Sequence, residues 1–142
     1  MPRKPLELAV IDLMQAVWLL VRRVRAAANA QGLSMTEATV LARLDKAGPA
    51  TTAELARAEA MKPQSMGATV GSLEELGLVE RRPHATDGRQ LNIVLTAKGA
   101  ALRSSAQLAK RTWLAQAIAQ LDDAERETLF EAGEIIMRLV EK

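Results

Sequence analysis

Apolar residues recur at Leu6, Val10, Leu13, Val17, Leu20 and Val24, at spacings of 4, 3, 4, 3 and 4, and so draw one stripe along a long first helix. Met14, Trp18 and Val21 widen that stripe on one side. A helix with more apolar width than one neighbour covers packs on two, and here the second is expected to be another subunit. Gly32 is the expected stop. Two capping boxes follow, Ser34-Met35-Thr36-Glu37 and Thr51-Thr52-Ala53-Glu54, in which a hydroxyl caps the N3 amide while the glutamate reaches back. The first opens a helix through Val40, Leu41 and Leu44 to Gly48-Pro49, the second a short helix carrying Leu55 and Ala56. Pro63 fits the N1 position of a third helix reaching Leu76 and ended by Gly77.

The period then changes. Leu78 to Arg82 reads as a strand, and Leu91, Ile93 and Leu95 alternate with period two. Pro83-His84-Ala85-Thr86-Asp87-Gly88 between them is rich in turn formers, which predicts an antiparallel hairpin. Thr96 is the expected N-cap of a long helix to about Leu121, and Asp122 with Glu125 marks the start of a last helix with Leu129, Gly133, Ile136 and Val140 in its stripe. The fold class is therefore mainly α with a small β-hairpin.

On the third helix Met66, Val70 and Leu73 lie within about 60° of one another at 100° per residue, so that face is core. Gln64, Ala68, Gly71, Ser72 and Glu75 fall opposite, on a face that is small and polar. Two short helices, a third of this kind and a hairpin form the winged helix-turn-helix pattern, whose last helix lies in the DNA major groove. Gln64 can pair with adenine through two hydrogen bonds, and Ser65 can bond a base edge or a phosphate. Both stand at a helix start, where backbone amides attract phosphate oxygens. The competing reading is that the small residues pack against a neighbouring helix.

Composition narrows the classes. The 142 residues suit one domain, and 26 of them are alanine, so bulky core material is scarce and a partner is expected. No cysteine and a single histidine, His84, leave no thiolate or histidine-rich metal site and no disulfide framework. No metal and no cofactor are expected. The longest apolar run, Ala16 to Val21, is far short of a membrane span, and Glu7 and Asp12 interrupt any secretory segment, which places the protein in the cytoplasm. The net charge of +2 decides little. Ser65, His84 and Asp87 make no credible triad without a nucleophile elbow, so an enzyme is not expected.

The segments Leu55 to Arg82, Asp87-Gly88-Arg89 and Leu95-Thr96-Ala97-Lys98-Gly99 strongly resemble the MarR family of winged-helix regulators. The resemblance implies a single domain over 1–142, with 1–33 and 100–142 as dimerisation helices and 34–99 as the DNA-binding lobe. It implies a homodimer on a pseudo-palindromic operator in double-stranded DNA, acting as a repressor and released by a small aromatic or anionic effector. The implied DNA-contacting residues are Lys62, Pro63, Gln64, Ser65, Ala68, Thr69, Ser72, Arg81, Arg82, His84, Asp87 and Arg89. Arg89 is expected in the minor groove while Asp87 orders the wing; the plainer role for Arg89 is a salt bridge to Asp87. Arg81 and Arg82 face opposite ways on a strand, so one is expected at phosphate and the other in a structural role. His84 reads as a backbone contact or as a solvated residue.

The third helix departs from the usual family pattern: it has no Arg or Lys after Lys62. Between Arg57 and Arg89 five positive residues meet five negative ones, so this stretch is formally neutral. That neutrality supports a second reading, a helical dimer that binds another protein and has weak or lost DNA affinity. For an effector, Met14, Trp18 and Arg22 combine apolar walls with a guanidinium, the chemistry that holds an aromatic acid; core packing is the plainer role of Trp18.

Overall fold

In the computed structural model, residues 3–29, 32–84, 86 and 88–142 are described, and Asp87 lies outside them. The elements are α1 (Leu6–Ala28), α2 (Met35–Ala47), β1 (Ala50–Thr51), α3 (Thr52–Ala58), α4 (Pro63–Glu75), β2 (Val79–Pro83), β3 (Leu91–Leu95), α5 (Ala97–Ala119) and α6 (Asp123–Val140). The chain divides into two units, residues 28–107 and residues 1–27 with 108–142, and α5 runs through both.

Each local signal that carries its own hydrogen bonds forms as expected. The capping boxes Ser34/Glu37, Thr51/Glu54 and Asp122/Glu125 all close in both directions. Two features differ from the sequence reading. α1 stops at Ala28 rather than at Gly32, and the Asn29 side chain then bridges to Leu33, accepting its amide and donating to its carbonyl, both at 2.9 Å. The hairpin also gains a third strand: Ala50 and Thr51 pair with Ile93 and Asn92, giving the antiparallel order β1-β3-β2. A two-residue strand shows no periodicity to read.

The core of residues 28–107 gathers one face from each element. Val40, Leu41 and Leu44 of α2, Leu55 and Ala56 of α3, Met66, Val70 and Leu73 of α4, and Leu78, Val79 and Ile93 are buried together. The end of α4 turns sharply into the sheet. Gly77 takes φ +75, its amide bonds the Glu74 carbonyl, and the Leu78 amide bonds the Leu73 carbonyl, a Schellman ending that Leu73 and Leu78 seal by their shared burial. Gly99 in the first turn of α5 packs on this ending so closely that a Cβ there would sit 2.1 Å from the Leu78 carbonyl oxygen.

The other unit is built differently. No residue of α1 or α6 is buried, and Leu6, Met14, Trp18, Phe130, Met137, Leu139 and Val140 are all more than half exposed. Within it Arg23 stacks its guanidinium 4.7 Å from the Trp113 ring centroid, tying α1 to α5. No helix among the described residues is long and apolar enough to cross a membrane.

Two predictions follow from this packing. Gly99→Ala forces backbone apart and should cost about 1–3 kcal/mol, read as a lowered Tm in thermal unfolding, with an unchanged Tm refuting the close approach. The Glu54 carboxylate accepts the Thr51 amide at 3.2 Å, and this bond, aided by the Thr51 hydroxyl and the Arg57 charge, lowers its pKa below the ordinary 4.5. A lowered folded pKa gives stability that is present above the unfolded value and lost as pH falls through the folded one. Glu54→Gln should therefore flatten the fall of stability with acid below about 4.5, measured by urea unfolding at stepped pH.

Candidate nucleic-acid interface

α4 turns one face to the core and one to solvent. Met66, Val70 and Leu73 are completely buried, while Gln64, Ser65, Ala68, Ser72 and Glu75 are exposed. A Cβ built on Gly67 or Gly71 would meet nothing within 4 Å among the described residues. Among the described residues nothing covers these two positions, which counts against the reading in which the small residues pack on a neighbouring helix. What remains is a helix whose backbone can approach a flat or grooved surface closely.

The start of α4 is equally open. Lys62 occupies the N-cap position without making a side-chain cap, and Pro63 at N1 has no N–H to offer. The amides of Gln64 and Ser65 therefore point outward uncapped beside the exposed Lys62 ammonium, an arrangement that attracts anionic oxygens. Thr69 is less available: it is half-buried, and its hydroxyl donates to the Ser65 carbonyl at 3.2 Å.

The sheet separates the two arginines that the sequence left undecided. Arg81 stands opposite Ile93, which is buried, so its side chain leaves on the core side of the sheet and reaches back to α4, with Nε donating to Glu74 Oε1 at 2.8 Å. Arg82 stands opposite Asn92 on the other side, is two-thirds exposed, and pairs with Glu80 at 2.8 Å. Arg81 therefore joins α4 to the hairpin, and Arg82 presents its charge outward. Glu59 is likewise held, by Arg43 at 2.8 Å. Three of the five acids that made this stretch formally neutral are thus each bonded to an arginine, which leaves Lys62 and Arg57 exposed near the start of α4 and Glu75 at its far end.

His84 begins the loop between β2 and β3. It is half-buried rather than simply exposed, its amide bonds the Gln90 carbonyl at 2.8 Å, and its Nδ1 accepts the Thr86 amide at 3.2 Å. Arg89 is exposed at the same tip. Asp87, expected to order this tip, lies outside the described residues. Met14, Trp18 and Arg22 line up on exposed α1, where the Arg22 guanidinium sits 5.3 Å from the Trp18 ring centroid. A shallow cleft of about 530 Å³ in the same unit lies elsewhere, between Arg111, Leu114 and Ile118 of α5 and Arg126 and Phe130 of α6.

The sequence reading missed the contribution of Thr96, Lys98 and Gly99 to holding α4. A capping hydroxyl at Thr96 was legible, but its bond to the Gly77 carbonyl spans nineteen residues. No group of three or more histidine or acidic side chains able to hold a metal occurs among the described residues.

Comparison with known proteins agrees with this geometry. A model of the MarR family matches residues 31–90. An HTH-type transcriptional regulator of Mycobacterium bovis is 34% identical over 92% of this chain and 92% of its own length. An HTH-type transcriptional repressor of Mycobacterium tuberculosis is 36% identical over 69% of this chain and 70% of its own. The structure of a Staphylococcus aureus MepR mutant bound to an oligodeoxyribonucleotide shares the fold, with a TM-score of 0.73 over 94% of this chain and 98% of that one at 18% identity.

The openness of the α4 face has a direct test. With nothing beside it, Gly71→Ala should stabilise the free protein by about 0.5–1 kcal/mol through helix propensity alone, seen as a raised Tm. A lowered Tm would mean that the face is packed.

Proposed function

The chain belongs to the MarR family of HTH-type transcriptional regulators, and on that premise we propose that it binds double-stranded DNA as a homodimer and represses transcription from a pseudo-palindromic operator. The observation that carries this reading is the outward face of α4, small, polar and uncovered, with open amides at its start. In this role α4 enters the major groove, Gln64 and Ser65 read base edges, and Ala68 and Ser72 allow close approach. Lys62 and Arg82 meet phosphates, and Arg89 at the hairpin tip enters the minor groove, where narrow A·T-rich stretches concentrate negative potential. Arg81 acts from behind by bracing α4 on the hairpin.

Residues 34–99 form the DNA-binding lobe in this proposal, and residues 1–33 and 100–142 join two copies. The support is the apolar surface of α1 and α6, where Leu6, Met14, Trp18, Phe130, Met137, Leu139 and Val140 are all more than half exposed, as apolar surfaces that meet a partner are. Two lobes related by a two-fold axis read half-sites about one helical turn apart. The mycobacterial relative is a transcriptional repressor, and that role is extended here to this chain. A small aromatic or anionic effector that releases the DNA is proposed to bind against Met14, Trp18 and Arg22.

The neutral charge count between Arg57 and Arg89 favours one other reading, a dimeric partner of another protein with little DNA affinity. Mobility-shift titrations across a range of salt separate the two, because phosphate contacts give a linear fall of log affinity with log salt. Against a duplex selected by the protein from a random pool, Gln64→Ala should lose about 1–3 kcal/mol of discrimination at the base it reads. Arg82→Ala should weaken every sequence alike and lower the salt slope by about one. Equal binding of all duplexes by wild type and Gln64→Ala would favour the protein-partner reading.

A further inference from the structure

The segment Leu95-Thr96-Ala97-Lys98-Gly99 does more than start a helix. Three consecutive carbonyls just after α4 are taken by Thr96, which precedes α5, and by Lys98 in the first turn of α5. Lys98 Nζ donates to the Leu76 carbonyl at 2.8 Å, Thr96 Oγ1 donates to the Gly77 carbonyl at 2.6 Å, and the Thr96 amide donates to the Leu78 carbonyl at 3.1 Å. The Thr96 hydroxyl also accepts the Gly99 amide at 3.0 Å. The Lys98 stem passes over Gly77, where a Cβ would find its Cδ at 3.7 Å.

These bonds differ in kind. Those of Thr96 are half-buried and belong to the fold, whereas Lys98 is exposed. The turn it holds is the covalent link between α4 and the hairpin. Gln64 lies twelve residues from Leu76, about 18 Å along the helix, so a tilt of only about 5° at the turn displaces it by roughly 1.6 Å. Hydrogen bonds to a base edge tolerate a spread of about 0.5 Å. Apolar packing under α4 is non-directional, while a hydrogen bond at the helix end is directional and opposes a change of angle there.

We infer that Lys98 is a positioning residue for base reading, its ammonium fixing the angle between α4 and β2 through the Leu76 carbonyl. This rests on the proposal above that α4 reads bases. Its competitor is direct: an exposed lysine also bonds phosphate well. The two differ in what salt and sequence do to the variant.

The test uses full-length wild type, Lys98→Met and Lys98→Arg, with the duplex that wild type selects from a random pool and a scrambled duplex of equal length. Affinities are measured over a range of salt, and Tm is recorded for each protein. Lys98→Met should lose about tenfold on the selected duplex, equivalent to one base pair read poorly, with little change on the scrambled one and an unchanged salt slope. Lys98→Arg should restore most of the discrimination. A slope reduced by about one on both duplexes overturns the inference in favour of phosphate contact. Undiminished discrimination, or parallel losses on both duplexes with a collapsed Tm, overturns it as well. Failure of wild type to select any sequence instead sinks the functional proposal itself, and the positioning role with it.

Discussion

The complete burial of Met66, Val70 and Leu73 on one side of α4 is the constraint from which the rest of the DNA-binding architecture descends. Three large apolar side chains at helical spacing leave no freedom in which face turns outward, because rotating the helix by even 100° would expose them and bury Gln64 and Ser72 without partners. Small residues on the outer face have no packing to contribute. Gly67 and Gly71 in fact weaken the isolated helix, so α4 depends on its buried face and its two ends for its existence.

Those ends are treated oppositely. At the start, no side chain caps the amides, and proline supplies a preset backbone instead. At the finish, every carbonyl from Leu76 to Leu78 has a donor, and Arg81 adds a bond from the hairpin to Glu74. An exposed ion pair of this kind adds little stability. Its consequence is geometric, since it joins α4 to the hairpin. A helix secured at its far end and left open at its near end delivers its partial positive charge outward without fraying.

Much of this was legible in the sequence, for a physical reason that also marks the limit. Capping boxes, the Pro63 start and the alternating Leu91, Ile93 and Leu95 are signals completed within a few residues, and each produced the expected element. The faces of α4 followed from helical period alone. The features missed are those whose partner lies elsewhere in the chain. Ala50 and Thr51 become a strand only because β3 offers an edge to pair with. Arg81 and Arg82 acquire separate roles only through their register with Ile93 and Asn92. Thr96 reads as a cap, but its bond to Gly77 spans nineteen residues. The end of α1 was misplaced because Asn29 closes a local loop with its side chain before Gly32 is reached.

The two units also differ in how far one chain satisfies them. Residues 28–107 bury a continuous core, and every described polar side-chain atom that is buried in the chain has a hydrogen-bond partner. In the other unit, α1 and α6 bury nothing, although each carries an apolar stripe as regular as those of the core helices. Hydrophobic free energy scales with area removed from water, so these stripes contribute little to a lone chain and much to whatever covers them. A chain with 26 alanines has few large side chains to distribute. Many of them stand in α1 and α6, where a single chain leaves them exposed, rather than in the core.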